Sequence, residues 1–262
     1  LNNKKGFGTL HFKNKSSFTR LLIVWSDKKN KNFQVTHSNF DYSKYITNKN
    51  YSLKGAEMPI VKFNEKLETR ELIIYPKFEK NEFKLNLDDS IYDKKVSSGK
   101  IIKINKDIER ATFKTRNKII PSRLVTALSG QIKNQKIPFE CSLGVVHEKT
   151  AKKRFSWALI SHKYRTYVHL NFNNVLNPES KFNLIFNIFN SKNLLIKKKT
   201  IEINRNNLST PIVYELNDIF PEYKKFLSGE YGYISLFTTN NAVRMLTSLY
   251  SNKKGITLEH AF

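Results

Sequence analysis

The residues best able to do chemistry here are six histidines, a few paired acids and one cysteine. His11, His37, His147, His162, His169 and His260 never fall in an HxxxH, HxH or HExxH spacing. Those spacings would place two metal ligands on one face of an element, so a zinc enzyme has no motif behind it. His162 and His169 flank Tyr164 and Arg165 and could approach across a hairpin, but no carboxylate lies between them, and they read as ordinary strand-end histidines. No GxSxG elbow occurs, and the chain has only nine glycines, with Ser98-Gly99 and Ser228-Gly229 each offering one. Without a glycine-rich loop there is no cradle for phosphate or a dinucleotide. No cofactor is expected.

Paired carboxylates are the remaining generic catalytic device, since a β-sandwich can hold two acids across a groove for glycoside hydrolysis. The candidates are Asp88 with Asp89, Glu140 with Glu148, and Glu259. Asp88 and Asp89 precede Ile91-Tyr92 as Asn217 and Asp218 precede Ile219-Phe220, which reads as a turn or short helix cap in both places. Glu140 follows Arg123, and Glu259 follows Arg244, in matching contexts. A repeated Arg–Glu pair bridging strands is the expectation, with ligand contact as its alternative.

A second group lies on the run Arg165–Phe172. Its period-two pattern turns Val168, Leu170 and Phe172 to one side, and leaves Arg165, Tyr167, His169 and Asn171 for an exposed polar face. Such an array suits sugar recognition or base stacking, but packing between domains or against another subunit is the favoured expectation, because polar strand faces are generally just solvated or packed. The ligand-binding candidates are therefore Arg165, Tyr167, His169, Asn171, Arg123, Glu140, Arg244 and Glu259. Phe155, Trp157 and Leu159 share one side of residues 154–161 and read as core. Trp25 belongs to a strand that is apolar on both sides and so is expected to be covered.

The elements that would carry these residues are nearly all β. Strand-like runs cover residues 18–25, 71–75, 83–87, 100–104, 119–128, 139–147, 154–161, 165–172, 181–189, 194–203 and 231–238. One helical turn is predicted between Asn217 and about Leu227, with Pro221 at an early position.

The chain also matches itself. Residues 123–128 (RLVTAL) recur as residues 244–249 (RMLTSL), each followed by a Lys/Asn turn and a strand ending in an acid. Weaker matches pair residues 72–74 with 184–186, Leu87–Tyr92 with Leu216–Phe220, and Phe18–Phe33 with Phe139–Phe155. The fold expected is all-β: two tandem antiparallel β-sandwiches related by an internal repeat, residues 1–136 and 137–262. Residues 3–11 resemble residues 252–260, so residues 1–12 read as the tail of an upstream copy.

Composition sets the remaining bounds. The 262 residues include 46 Lys plus Arg against 22 Asp plus Glu, a net charge of +24. The cations are 37 Lys and only 9 Arg, beside 29 Asn, and they are scattered in short groups such as Lys28–Lys31 and Lys197–Lys199. That favours compositional bias over one dedicated polyanion site, while still predicting nonspecific affinity for acidic surfaces at low salt. One cysteine excludes an intramolecular disulfide framework, and Cys141 reads as a packing residue. No window approaches the roughly 18 apolar residues of a spanning helix. The absence of a signal peptide favours the cytoplasm, although residue 1 is Leu, which leaves room for an upstream segment. The leading expectation is a noncatalytic tandem module that binds a glycan or a partner protein. A polyanion or nucleic-acid binder is the second, and a carbohydrate-active enzyme with a carboxylate pair is the third.

Overall fold

The computed structural model describes residues 22–26, 33–37, 56–60, 67–74, 82–87, 90–97, 99–104, 108, 110–114, 125–132, 138–144, 154–172, 181–204, 212–227, 229, 231–240, 243–251 and 255–260. All regular structure in them is antiparallel β apart from two short helical turns. An amino-terminal hairpin pairs β1 (Leu22–Ser26) with β2 (Phe33–His37). The next strands are β3 (Ala56–Pro59), β4 (Leu67–Ile74), β5 (Glu82–Leu87), β6 (Ser90–Ser97), β7 (Lys100–Lys103), β8 (Arg110–Lys114), β9 (Val125–Ile132) and β10 (Phe139–Gly144). They form sheet I, ordered β3-β8-β5-β6, and sheet II, ordered β10-β9-β4-β7.

The remaining strands are β11 (Arg154–Ser161), β12 (Arg165–Phe172), β13 (Lys181–Asn190), β14 (Leu195–Asn204), β15 (Ile212–Glu215), β16 (Tyr231–Thr238), β17 (Val243–Ser251) and β18 (Gly255–His260). Sheet III is ordered β11-β16-β13-β14, and sheet IV β15-β12-β17-β18. Adding eight to every strand number in sheet I gives sheet III, and the same step turns sheet II into sheet IV read from its other edge. The expected helical turn is present as α1 (Leu216–Ile219) followed by a 3-10 turn at Tyr223–Phe226, where Asn217 Oδ1 accepts from the Glu222 N–H at 3.1 Å.

Period-two burial is clearest in β13, where Phe182, Leu184, Phe186 and Ile188 are buried while Lys181 and Asn183 are exposed. Its inner residues meet Val168, Leu170, Ile234, Leu236 and Met245 in a core between sheets III and IV, which Leu216, Ile219 and Tyr223 of the helical turns also enter. A second core joins Leu85 and Leu87 of sheet I to Leu72, Leu128, Phe139 and Cys141 of sheet II. Leu246, Ile256 and Leu258 of sheet IV belong to that second core as well. Sheet IV is thus buried on both faces, and β10 lies against both β2 and β18. Cys141 is buried in this core and forms no disulfide, in keeping with the packing role expected of it.

Several of the sequence matches fall on strands that hold different places. Residues 72–74 lie on β4, beside β9, whereas residues 184–186 lie on β13, between β16 and β14. Ile91 is in a strand and Ile219 in a helical turn. The RLVTAL and RMLTSL matches, by contrast, run into β9 and β17, which occupy corresponding positions in sheets II and IV. Residues 1–12, 88–89, 123 and 148 lie outside the described residues.

Candidate ligand face

The largest difference from the sequence reading is on β11. Phe155, Trp157 and Leu159 are 60%, 45% and 49% exposed, whereas Ser156, Ala158 and Ile160 point into the core. Alternation fixes two faces but does not say which is inside. The choice is made by the partner strands. Register aligns Ser156 with Leu236 and Phe186, Ala158 with Ile234 and Ile188, and Ile160 with Gly232. Those aliphatic and aromatic side chains already fill the interior, so small residues on β11 complete it. Turning Trp157 inward would require a one-residue slip that brings every inward residue of β11 outside.

The exposed side of sheet III is therefore built from three rows that cross the strands. Phe155 aligns with Phe237, Ile185 and Thr200; Trp157 with Ser235, Asn187 and Lys198; Leu159 with Tyr233, Phe189 and Leu195. Phe189 and Tyr233 stack with centroids 4.6 Å apart and planes at 10°. The Tyr233 hydroxyl donates to Asn193 Oδ1. Asn187 Nδ2 donates to Ser235 Oγ at 3.2 Å. The β13–β14 turn beside this row is set by Asn190, whose Oδ1 accepts from the Lys192 and Leu194 N–H groups at 3.0 Å each, with Asn193 left-handed at φ 62°. The result is a surface of aromatic and aliphatic side chains whose middle row has Ser235 buried, Asn187 half-buried and Lys198 exposed at the outer end.

The expected polar face on β12 is in a different environment. Tyr167, His169 and Asn171 are buried, and only Arg165 is exposed. They point away from the sheet III–sheet IV core as expected. On that side, register brings them beside Ser248, Leu246 and Arg244, and Leu246 packs into the core shared with sheets I and II. His169 Nε2 lies 2.9 Å from Ser248 Oγ, a buried pair closed to solvent. His162 is exposed in the turn from β11 to β12, which joins two different sheets and is no hairpin.

At the exposed end, Arg165 grips Glu215 with two hydrogen bonds, Nε to Oε1 at 3.1 Å and Nη2 to Oε2 at 2.6 Å. Its guanidinium also lies 5.2 Å from the Tyr167 ring centroid and 5.8 Å from that of Tyr250. This clasp ties β15, β12 and β17 together. The hydrogen bond from Arg165 holds the Glu215 carboxyl below the usual range, partial burial opposing it. Burial pushes the nearby Lys224 ammonium down and the Tyr214 hydroxyl up.

Register sets Glu140 opposite Ser129 and Glu259 opposite Thr247. With RLVTAL aligned on RMLTSL, the register matches Glu140 with Ile256, and Leu143 rather than Glu140 with Glu259, because the first hairpin loop is longer. Among the described residues, one cross-strand acid row is Glu140–Ser129–Glu71, where two strand spacings set the glutamate Cα atoms about 10 Å apart. Glu71 is buried, so the row is not an open catalytic groove. Arg123 and the side chains of Glu259 and Trp25 lie outside the described residues. Among the described residues no three His, Cys, Asp or Glu side chains are grouped to hold a metal, and no helix is long and apolar enough to cross a membrane.

The chain matches no protein-family model, and comparison with characterised proteins returns no match.

Proposed function

We propose that the chain is a noncatalytic tandem β-sandwich module that binds a glycan on the outer face of sheet III. The tandem reading is supported by the constant step of eight between the two pairs of sheets. It assigns β3–β10 to one sandwich and β11–β18 to the other. Because β10 pairs with β9, the junction moves from residue 137 to beyond Gly144. The observation that carries the ligand reading is the exposed stripe Phe155, Trp157 and Leu159 beside the row Ser235, Asn187 and Lys198.

Burying such a stripe in a ligand interface releases apolar surface at about 25 cal/mol per Å². Exposed patches of this kind mark interaction sites. A sugar suits this one because its apolar ring face can lie on an aromatic side chain while its hydroxyls bond the half-buried Asn187 amide or the Lys198 ammonium, Ser235 being buried beneath them. The buried His169–Ser248 pair and the occupied Arg165–Glu215 clasp are read as scaffold, with Arg165 at most a rim contact.

A glycan array of the chain beside a Phe155→Ala, Trp157→Ala double variant tests the reading. Signal on a defined set of glycans that drops about tenfold or more in the variant supports it. Absence of glycan binding, or binding untouched by the double change, refutes it.

A further inference from the structure

The motif that opens β9 and β17 occurs a third time. Arg20-Leu21-Leu22-Ile23-Val24-Trp25-Ser26 aligns with Arg123-Leu124-Val125-Thr126-Ala127-Leu128-Ser129 and with Arg244-Met245-Leu246-Thr247-Ser248-Leu249-Tyr250. Each is followed by a Lys/Asn-containing loop and by an antiparallel partner strand, giving the hairpins β1–β2, β9–β10 and β17–β18. Their second strands are also placed alike: β10 lies against β2, and β18 lies against β10. The step of eight strands therefore extends to the amino-terminal hairpin. By this alignment β1–β2, rather than residues 1–12 alone, corresponds to the closing hairpins.

Equivalent positions differ in burial in one informative way. Ala127 and Ser248 are 0% and 1% exposed, whereas Val24, their counterpart, is 63% exposed. In sheet IV that face is covered because Leu246 and Leu258 enter the core of the preceding sandwich with Phe139 and Cys141. On β1–β2 the same face carries a bare valine. The other end shows the complementary difference. Leu128 and Cys141, opposite each other in sheet II, are buried, whereas their counterparts Leu249 and Thr257, opposite each other in sheet IV, are only half-buried.

We infer that these two surfaces fit each other: a second copy of this chain docks its Val24 face on the Leu249–Thr257 end of the first, continuing the contact already made between the two sandwiches. The inference rests on the tandem reading of the fold. The contact joins unlike surfaces and leaves one of each free, so it is heterologous and grows head to tail.

Sedimentation velocity over about a hundredfold concentration range tests it. The chain should grow past a dimer. Val24→Asp places a charge at the head contact, and Thr257→Arg a bulky cation at the tail contact; each alone should weaken association by more than about tenfold. An equimolar mixture of the two variants retains one intact head and one intact tail, and should give dimers and nothing larger. A monomer at every concentration, a closed dimer indifferent to both changes, or a mixture that stays monomeric would overturn the inference. Val24→Asp alters an exposed side chain, so at a concentration low enough for both to be monomeric its circular-dichroism melt should match the parent. Two separable unfolding steps in a chain that does not associate would leave the tandem reading intact and reject only the end-to-end contact.

Discussion

Trp157→Ala and Ile160→Ala sit three residues apart on β11 and test which of its faces is interior. A tryptophan buried in a core costs about 3–5 kcal/mol when truncated, and a buried isoleucine about 2–5. With 45% of Trp157 in solvent and Ile160 fully buried, the ranking by size should reverse. A tryptophan that buries about 200 Å² when enclosed loses here about half of that. Since alanine keeps part of the contact, the transfer loss is about 1–2 kcal/mol at 25 cal/mol per Å². Ile160→Ala also leaves a cavity among Val168, Ile188 and Ile234, adding to its transfer loss for about 3 kcal/mol in all. With a urea slope of about 2 kcal/mol per molar, the unfolding midpoint of the core between sheets III and IV should fall by roughly 0.5–1 M for Trp157→Ala and roughly 1.5 M for Ile160→Ala. Fluorescence-independent readout, such as far-ultraviolet circular dichroism, avoids losing the probe with the residue. An equal or larger shift for Trp157→Ala would refute the exposed placement.

Other changes follow from the same geometry. A Cβ on Gly232 would lie 2.4 Å from the Phe189 carbonyl oxygen and 2.7 Å from Leu227 Cδ2, so Gly232→Ala should cost about 1–3 kcal/mol by denaturant titration, and an unchanged midpoint would contradict the packing. Tyr223 is buried, but its hydroxyl reaches Thr166 Oγ1 and the Ser161 carbonyl only at 3.4 and 3.5 Å. Tyr223→Phe should therefore cost less than about 1 kcal/mol while Tyr223→Ala costs about 3–5, and similar values for both would show that the hydroxyl matters more than the ring. Glu215 has a lowered folded pKa, so its pairing with Arg165 contributes above the unfolded carboxylate value and is lost as pH falls through the folded one. Both partners are partly solvated, at 50% and 27% exposure, which keeps the contribution below about 1 kcal/mol. The stability difference between the chain and Glu215→Gln should thus vanish in acid, and a difference that grew there would contradict the pairing.

Much of the architecture is legible in the sequence because strands advertise themselves by alternation. Val168 and Leu170 face the core as their spacing indicates, and Asn217 and Pro221 mark the helical turns. What alternation cannot express is the volume supplied by neighbouring strands. Phe155, Trp157 and Leu159 are outside because Leu236, Phe186 and Ile188 already fill the inside. Nor does it reveal a sheet covered twice. The spacing of Tyr167 and His169 leaves both an open ligand face and packing between domains, and only the structure shows them packed, with cross-strand partners such as Ser248 taking the polar atoms inside. Glu140 and Glu259, matched in the sequence, hold different register positions for a third reason: loop length between paired strands decides register, and the loops after β9 and β17 differ.

The most direct test of the proposed function is a nuclear magnetic resonance titration of the chain with the strongest glycan from the array, following backbone and side-chain signals. Shifts should concentrate on Phe155, Trp157, Leu159, Tyr233, Phe237 and the Asn187 side-chain amide. Shifts confined to the Arg165–Glu215 end of sheet IV, or no saturable shifts at all, would contradict the assignment of the sheet III face as the binding surface.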